Sequence, residues 1–205
     1  MIAIIDYGVG NIFSLMSSFK YIGADAVLTS DTSQIESADR IVLPGVGAFG
    51  DAVKKLTDSG LKDTVVSQCR SGKPLLGICL GMQLLFQKSF EYGEHEGLGL
   101  VDGNVVPLSG AVPSELKIPH IGWNALHFPK TRKKSELFKY IDEGEHVYFV
   151  HSFYAADCAE SVIADTEYGI PVTAAVQKGN VYGTQFHPEK SGDTGLKILK
   201  AFAEL

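Results

Sequence analysis

The chain has little cysteine, and its cysteines are not arranged in pairs. Cys69, Cys79 and Cys158 are the only three, and no two of them form a Cys-x-x-Cys motif. An odd number of widely spaced cysteines argues against a disulfide framework and against a structural zinc site. Reduced thiols of this kind are typical of a cytoplasmic protein, and we expect neither a bound metal nor a cofactor.

Basic residues and long apolar runs are also scarce. The net charge is −6, and the short basic patch at residues 130–134 is interpreted as a solvated turn. No basic stretch is concentrated enough to predict nucleic acid or a membrane surface as a partner. No apolar stretch is long enough to span a bilayer. The N-terminus lacks a basic segment and Asp6 interrupts its apolar run, so it predicts a strand, not a signal peptide. The length of 205 residues predicts one domain over residues 1–205.

Short apolar runs alternate with helical patterns and predict an α/β fold that opens with a βαβ unit. Asn11 is a candidate N-cap of the first helix, and Ser135 of a short helix at 135–141. Helices are also predicted at 51–59, 61–70 and 194–205, and after Cys79. Strands are predicted at 1–5, 26–29, 40–43, 101–108, 118–128, 147–154, 162–164, 172–177 and 181–186, with another ending at Cys79.

Cys79 stands between an apolar strand pattern and a buried helical pattern, flanked by Gly77 and Gly81. This Gly-x-Cys-x-Gly pattern is the cysteine form of a nucleophile elbow, in which a tight strand-to-helix turn exposes one side chain. The helix N-terminus would favour a thiolate, and the N–H of Leu80 would be placed to bind an oxyanion. The alternative is an inert buried cysteine between two packing glycines, because the motif is short.

Two glycine loops follow predicted strands, at residues 6–11 (Asp-Tyr-Gly-Val-Gly-Asn) and 44–49 (Pro-Gly-Val-Gly-Ala-Phe). The first suggests dinucleotide binding only weakly, because the third glycine of that fingerprint is absent. In the second, glycines on both sides of Val46 let its peptide turn freely, so its N–H can point toward a developing negative charge. An ordinary strand-to-helix turn is the simpler reading of the second loop taken alone.

His187 and Glu189 follow the last predicted strand and supply the remaining groups for acyl transfer. With Cys79 as nucleophile, His187 would carry the proton and Glu189 would orient the imidazole. Pro188 excludes a continuing helix, and in an extended segment residues two apart share a side. These features allow a thioesterase, a peptidase or an amidase without choosing among them. A cysteine thioesterase of the hydrolase fold usually has its acid before its histidine, unlike this chain.

Residues 76–83 and 185–189 together resemble the class I (triad) glutamine amidotransferases. Residues 6–11, 44–49, 120–124 and 148–152 are similar to one branch of that family, and the resemblance covers essentially the whole chain. In that branch a glutaminase subunit pairs with a (β/α)8-barrel cyclase subunit in a heterodimer of histidine biosynthesis. The resemblance implies a flavodoxin-like open mixed β-sheet with helices on both faces.

The resemblance also implies an activity. Glutamine would be hydrolysed to glutamate and ammonia, and the cyclase would use the ammonia to make imidazole glycerol phosphate and aminoimidazole carboxamide ribotide. The implied residues are a triad, two oxyanion donors, six glutamine-binding positions and four positions at the subunit interface. These are Cys79, His187 and Glu189; Val46 and Leu80; Gly47, Gln83, Glu91, His151, Ser152 and Phe153; and Asn11, Trp123, Tyr148 and Lys190.

Two details of the resemblance concern the glycine loops. The family commonly has proline where this chain has Gly10, and glycine there loosens the first loop. In the resting enzyme the Val46 peptide would turn its carbonyl into the pocket, and nucleotide bound to the partner would shift it. One alternative is an amidotransferase subunit of anthranilate or pyridoxal phosphate synthesis. The segment 120–124 around Trp123 and the Gly-Val-Gly loop at 45–47 argue against it. A second alternative is a catalytically inactive regulatory module on the same fold.

Overall fold

The computed structural model describes residues 1–205, in which six helices and thirteen strands alternate. The helices are α1 (Ile12–Tyr21), α2 (Thr32–Ser37), α3 (Phe49–Asp58), α4 (Leu61–Arg70), α5 (Leu80–Leu84) and α6 (Gly192–Ala203). The strands are β1 (Ile2–Ile5), β2 (Ala26–Thr29), β3 (Arg40–Gly45), β4 (Leu75–Cys79), β5 (Lys88–Ser89), β6 (His95–Glu96), β7 (Asn104–Pro107), β8 (His120–Ala125), β9 (His146–His151), β10 (Phe153–Ala156), β11 (Val162–Glu167), β12 (Pro171–Lys178) and β13 (Val181–Thr184).

A seven-stranded mixed sheet forms the centre of the molecule, in the order β11-β12-β13-β4-β3-β1-β2. The strands from β13 to β2 run parallel, whereas β11, β12 and β13 pair antiparallel. The open mixed sheet expected from the resemblance is therefore confirmed. No helix combines the length and the apolar character needed to cross a membrane.

Both faces of this sheet are covered by helices because successive side chains of a strand point to opposite sides. In β1, Ile2 and Ile4 pack in one apolar cluster with α1 and α6, whereas Ala3 and Ile5 pack in another with α3 and α4. Strands buried on both faces read as continuous apolar runs, which is why these short runs were recognisable in the sequence.

The aromatic segment predicted as one strand over residues 147–154 is two strands that belong to different sheets. β9 pairs with β8, whereas β10 joins a four-stranded sheet in the order β10-β7-β5-β6. The chain changes partner at Ser152, between the two strands. The prediction of a single strand was therefore wrong, because β-propensity does not reveal which strand a segment pairs with.

Several boundaries also differ from the sequence prediction. β3 continues two residues beyond the predicted end, because Pro44 and Gly45 pair with the end of β4. Asn11 occupies the N-cap of α1 without forming a side-chain hydrogen bond, so that prediction was wrong. The hydroxyl of Ser135 does accept from the N–H of Leu137, but it caps only a short 3-10 turn. α2, whose cap Asp31 accepts from Ser33, was not predicted.

Candidate active site

Cys79 occupies a strained turn between β4 and α5. Its φ of +54° and ψ of −110° lie outside the regions favoured by residues with a side chain. The flanking glycines make this turn possible. A Cβ on Gly81 would lie 1.8 Å from the carbonyl oxygen of Leu43, and one on Gly77 would lie 2.6 Å from the carbonyl oxygen of Gly81. The two glycines thus allow the turn to pack directly against β3.

His187 reaches the same edge of the sheet as Cys79 because its strand runs parallel to β4. β13 pairs with β4 as far as Thr184 opposite Ile78, and His187 follows shortly afterwards. Its Nδ1 lies 2.8 Å from Oε1 of Glu189, and both side chains are almost completely buried. The extended segment predicted here was wrong. Residues Pro188–Lys190 form a 3-10 turn, and it is this turn that brings Glu189 back to the ring.

The environment of His187 favours the protonated imidazole. Burial alone would lower its pKa, but hydrogen bonds with Cys79 and Glu189, together with their charges, raise the pKa of His187 to about 10. The second carboxylate oxygen of Glu189, Oε2, is buried and has no protein partner. His187 is thus the only side chain that bonds this carboxylate, and the three groups form a Cys-His-Glu arrangement suited to nucleophilic chemistry.

The loop that contains Val46 lies directly beside the cysteine turn. Gly45 pairs with Cys79, and a Cβ on Gly45 would lie 2.7 Å from the backbone nitrogen of Gly81. The side chain of Val46 is 41% exposed, and Gly47 has a φ of +95°. From the other side, the buried hydroxyl of Tyr7 donates to the carbonyl oxygen of Pro44 at 2.6 Å. This loop is therefore fixed at its base and exposed at Val46.

A cleft of about 340 Å³ opens over Cys79, within the usual range of about 300 to 1,000 Å³ for ligand pockets. Every triad, oxyanion and glutamine-binding residue expected from the resemblance lines it, except Glu189, which lies behind His187. Pro119, Val150 and Lys190 also contribute to the wall. The predicted lining residues are Val46, Gly47, Cys79, Leu80, Gln83, Glu91, His151, Ser152, Phe153 and His187.

Glu91 lies between the cleft and the first turn of α3. Its Oε2 accepts a hydrogen bond of 2.5 Å from the backbone N–H of Phe49, the first residue of that helix. A carboxylate at this position satisfies one of the unpaired donors of the helix and interacts favourably with its dipole. The sequence indicated Glu91 as a pocket residue, but it gave no sign that the same carboxylate anchors α3.

The side chain of His151 is hydrogen-bonded to a second buried histidine, His120. Its Nδ1 lies 2.8 Å from the carbonyl oxygen of Phe153, and its Nε2 lies 3.0 Å from Nδ1 of His120. Burial lowers the pKa of His151 to about 4, although the bond to Phe153 opposes this effect. The ring is therefore neutral near pH 7, and the part of His151 that the cleft can use is its backbone. His120 also stacks on Tyr168 with 3.9 Å between ring centroids, and the pairing of the two histidines was not predicted from the sequence.

The expected interface residues lie together beside the cleft. Trp123 and Tyr148 are directly opposite each other in the β8–β9 pair, with ring centroids 6.1 Å apart. Nζ of Lys190 lies 5.8 Å from the Tyr148 ring centroid, and the indole is 52% exposed. Asn11 precedes α1, which packs against the 188–190 turn. This surface patch of one cation and two aromatic rings is continuous with the mouth of the cleft.

Gly10 stands where the family commonly has proline, and its backbone conformation is one that proline cannot adopt. Its φ is +133°, whereas proline fixes φ near −65°. A Cβ at Gly10 would also lie 3.0 Å from Cβ of Pro44. The first loop therefore has a conformation in this chain that a proline does not adopt.

No group of three or more His, Cys, Asp or Glu side chains is placed to hold a metal ion. Residues 3–204 match the sequence profile of the class-I glutamine amidotransferases. The chain belongs to this family. The amidotransferase profile thus covers almost all of the chain, including both motifs of the cleft.

Curated relatives place this class I amidotransferase in one branch of its family. The imidazole glycerol phosphate synthase subunit HisH of Wolinella succinogenes is 48% identical, with 100% of both chains covered. The subunit of the same name from Caldanaerobacter subterraneus subsp. tengcongensis is 50% identical, with 100% of this chain and 98% of the relative covered. The HisH subunit of Methanothermobacter thermautotrophicus is 47% identical, with 100% of this chain and 98% of the relative covered.

Solved structures of other amidotransferases have the same fold at much lower identity. A glutamine amidotransferase crystal structure superposes with a TM-score of 0.75 at 20% identity, with 100% of both chains covered. The PurLQS structure from Thermotoga maritima gives a TM-score of 0.72 at 19% identity, with 99% of this chain and 97% of that chain covered. At such identities the likeness concerns the fold alone, and it agrees with the mixed sheet described above.

Proposed function

We propose that this chain is the glutaminase subunit of an imidazole glycerol phosphate synthase, and that it hydrolyses glutamine to glutamate and ammonia. The observation that carries the proposal is the buried His187–Glu189 pair, joined at 2.8 Å beside a cysteine in a strained strand-to-helix turn. The relatives named HisH, 47 to 50% identical over the whole chain, supply the specific synthase.

In the proposed reaction, Cys79 attacks the carboxamide carbon of glutamine. His187 accepts the thiol proton and returns it to the departing nitrogen, which leaves as ammonia, and a thioester to Cys79 remains. Water then attacks the thioester with His187 as the base, and glutamate is released. Glu189 holds the imidazole through Nδ1, which leaves Nε2 to face the sulfur.

The negative charge of each tetrahedral intermediate requires donors near the scissile carbon. Leu80, at the start of α5, and Val46, in the adjacent loop, are the proposed donors, each through its backbone N–H. The exposed Val46 segment between Gly45 and Gly47 is the part that would change between resting and active forms. We place the control of activity there, with nucleotide bound to the partner as the effector.

The rest of the cleft would hold the amino acid end of glutamine. Glu91 would bind the ammonium group, and Gln83 with the backbone of residues 151–153 and Gly47 would fix the remaining polar atoms. All of these line the cleft with Cys79. The proposed partner is a (β/α)8-barrel cyclase that receives the ammonia and forms a heterodimer through Asn11, Trp123, Tyr148 and Lys190. Neither nucleic acid nor a membrane has a part in this proposal.

The test uses the complex with a cyclase subunit and the variants Cys79→Ser and Cys79→Ala. We expect both variants to lose glutamine hydrolysis while the complex still makes imidazole glycerol phosphate from free ammonia. Cys158→Ser is the matched control, because that thiol is buried beside Thr173 and does not line the cleft. Retained glutamine hydrolysis in Cys79→Ala would contradict the proposed nucleophile. Failure of the wild-type chain to copurify with the cyclase would contradict the proposed partner.

A further inference from the structure

Gln185 is a completely buried polar residue in contact with the sulfur of Cys79. It directly follows β13 and lies two residues before His187. Its Nε2 lies 3.8 Å from Sγ of Cys79, and its Oε1 lies 3.0 Å from Nε2 of Gln83. The mechanism above gives this residue no part, although its amide is as close to the nucleophile as hydrogen bonding to sulfur requires.

The orientation of the side-chain amides of Gln83 and Gln185 follows from their hydrogen-bond partners, beginning with a backbone carbonyl group. The carbonyl oxygen of Phe153 can only accept, so the atom of Gln83 that lies 3.1 Å from it must be the NH₂ group. The second hydrogen of that group then goes to Gln185, which must present its oxygen. Rotating either amide by 180° would bring two donors or two acceptors together in a buried site.

These hydrogen bonds determine which atom of Gln185 faces the nucleophile. Because Oε1 is used by Gln83, the NH₂ group is left to point at Sγ of Cys79. The backbone N–H of Gln185 is also used, since it donates to the carbonyl oxygen of Ala174. Gln185 is thus held through its side-chain oxygen by Gln83 of α5 and through its backbone by Ala174 of β12, which leaves its NH₂ group as a fixed donor.

We propose that Gln185 is a hydrogen-bond donor to the sulfur of Cys79 that stabilises the thiolate and fixes its direction of attack. The proposal rests on the proposed glutaminase function and adds a residue to it. His187 and Gln185 would then hold the sulfur from two sides. A consequence concerns Gln83: with its NH₂ group fully used, only its oxygen remains to face the cleft, so it would accept from an N–H of the substrate.

The test compares the pH dependence of Cys79 alkylation by iodoacetamide in the wild type, Gln185→Met and Gln185→Glu, with the modified residue identified by mass spectrometry. Gln185→Met keeps the volume and removes the donor. Gln185→Glu keeps the shape and the acceptor for Gln83, but it turns a carboxylate oxygen toward the sulfur. Loss of a hydrogen bond of ordinary strength to the thiolate should slow alkylation of Cys79 at neutral pH about 10- to 100-fold in both variants. The midpoint of the pH profile should rise by about one to two pH units.

Gln177→Met is the matched control. Gln177 makes a similar set of hydrogen bonds, with Ser135, Gly179 and Tyr182, on β12 and outside the cleft. It should alkylate with the wild-type profile. Circular dichroism and thermal unfolding establish that each variant is folded.

The outcomes separate a chemical role from a structural one. If Gln185 only filled space or supported Gln83, the neutral Gln185→Met variant would alkylate with the wild-type pH midpoint, and that result would overturn the proposal. With glutamine, kcat should fall by a similar factor with little change in KM. If the wild-type complex lacks glutaminase activity while the alkylation profiles still differ, the proposed function fails and the role of Gln185 stands.

Discussion

The stability of the protein should fall as the pH decreases from 7 to 5, and His151 should account for much of the fall. Its pKa is about 4 in the folded chain, against an ordinary value of 6.5, because the ring is buried against His120 and Phe153. Between these values the unfolded chain binds a proton that the folded chain does not. Stability is therefore fully present above pH 6.5 and is lost progressively toward pH 4.

The expected loss in the free energy of unfolding follows from the lowered pKa of His151. Moving the pKa from 6.5 to about 4 corresponds to about 3 kcal/mol in the free energy of unfolding, of which about 2 kcal/mol is lost between pH 7 and pH 5. His187 acts in the opposite direction in this window, because its pKa is raised and its stabilisation grows as the pH falls through 6.5. It offsets part of the loss equally in the wild type and in a variant of His151. A group of that kind contributes stability below its unfolded pKa and loses it as the pH rises.

Urea denaturation at pH 7, 6 and 5 measures this dependence in the wild type and in His151→Asn. The asparagine nitrogen can replace Nδ1 as donor to Phe153, but the side chain does not titrate. We expect the variant to be less stable at pH 7 and to lose about 2 kcal/mol less than the wild type on going to pH 5. His146→Asn, at an exposed position of the same strand, should keep the wild-type dependence. Parallel curves for wild type and His151→Asn would refute the reasoning.

Three further predictions concern the cleft. Gly81→Ala should destabilise the chain by about 3 kcal/mol in urea denaturation, because a Cβ at this position would overlap the carbonyl group of Leu43. The control Gly60→Ala lies in open space at φ +74° and should lower the free energy of unfolding by only about 1 kcal/mol. Equal losses in the two variants would contradict the packing argument. Glu91→Gln should raise KM for glutamine about 10- to 100-fold while α3 keeps an acceptor for Phe49, whereas an unchanged KM would remove Glu91 from substrate binding. The glutaminase rate of the nucleotide-bound complex should exceed that of the isolated chain about 100- to 1,000-fold, and equal rates would exclude control through Val46.

Much of the fold was predictable because its signals are local. Buried parallel strands such as β1 and β3 read as apolar runs, and α4 was predicted with the bounds that it has. The bend at Cys79 was predictable as well, since a tight turn leaves small residues on both sides of the nucleophile. The roles assigned to the cleft residues stay predictions, although the structure brings their side chains to one place.

Other features depend on pairing between distant segments, which local patterns do not encode. The break at Ser152 follows from β9 and β10 joining different sheets. The 3-10 turn at Pro188–Lys190, which brings Glu189 back to His187, could not be distinguished in the sequence from an extended segment. The hydrogen bond by which Glu91 anchors the start of α3 joins it to Phe49, which is 42 positions away in the sequence.

The sequence by itself determined the alternation of strands and helices and the glycines that a cysteine turn needs, because backbone sterics and burial periodicity act over a few residues. Only the tertiary structure decided which polar atoms meet. The orientation of Gln185 toward Cys79 and the neutral ring of His151 follow from hydrogen-bond partners on different strands. A buried donor or acceptor takes its role from whatever group lies opposite, and that neighbour is set by packing.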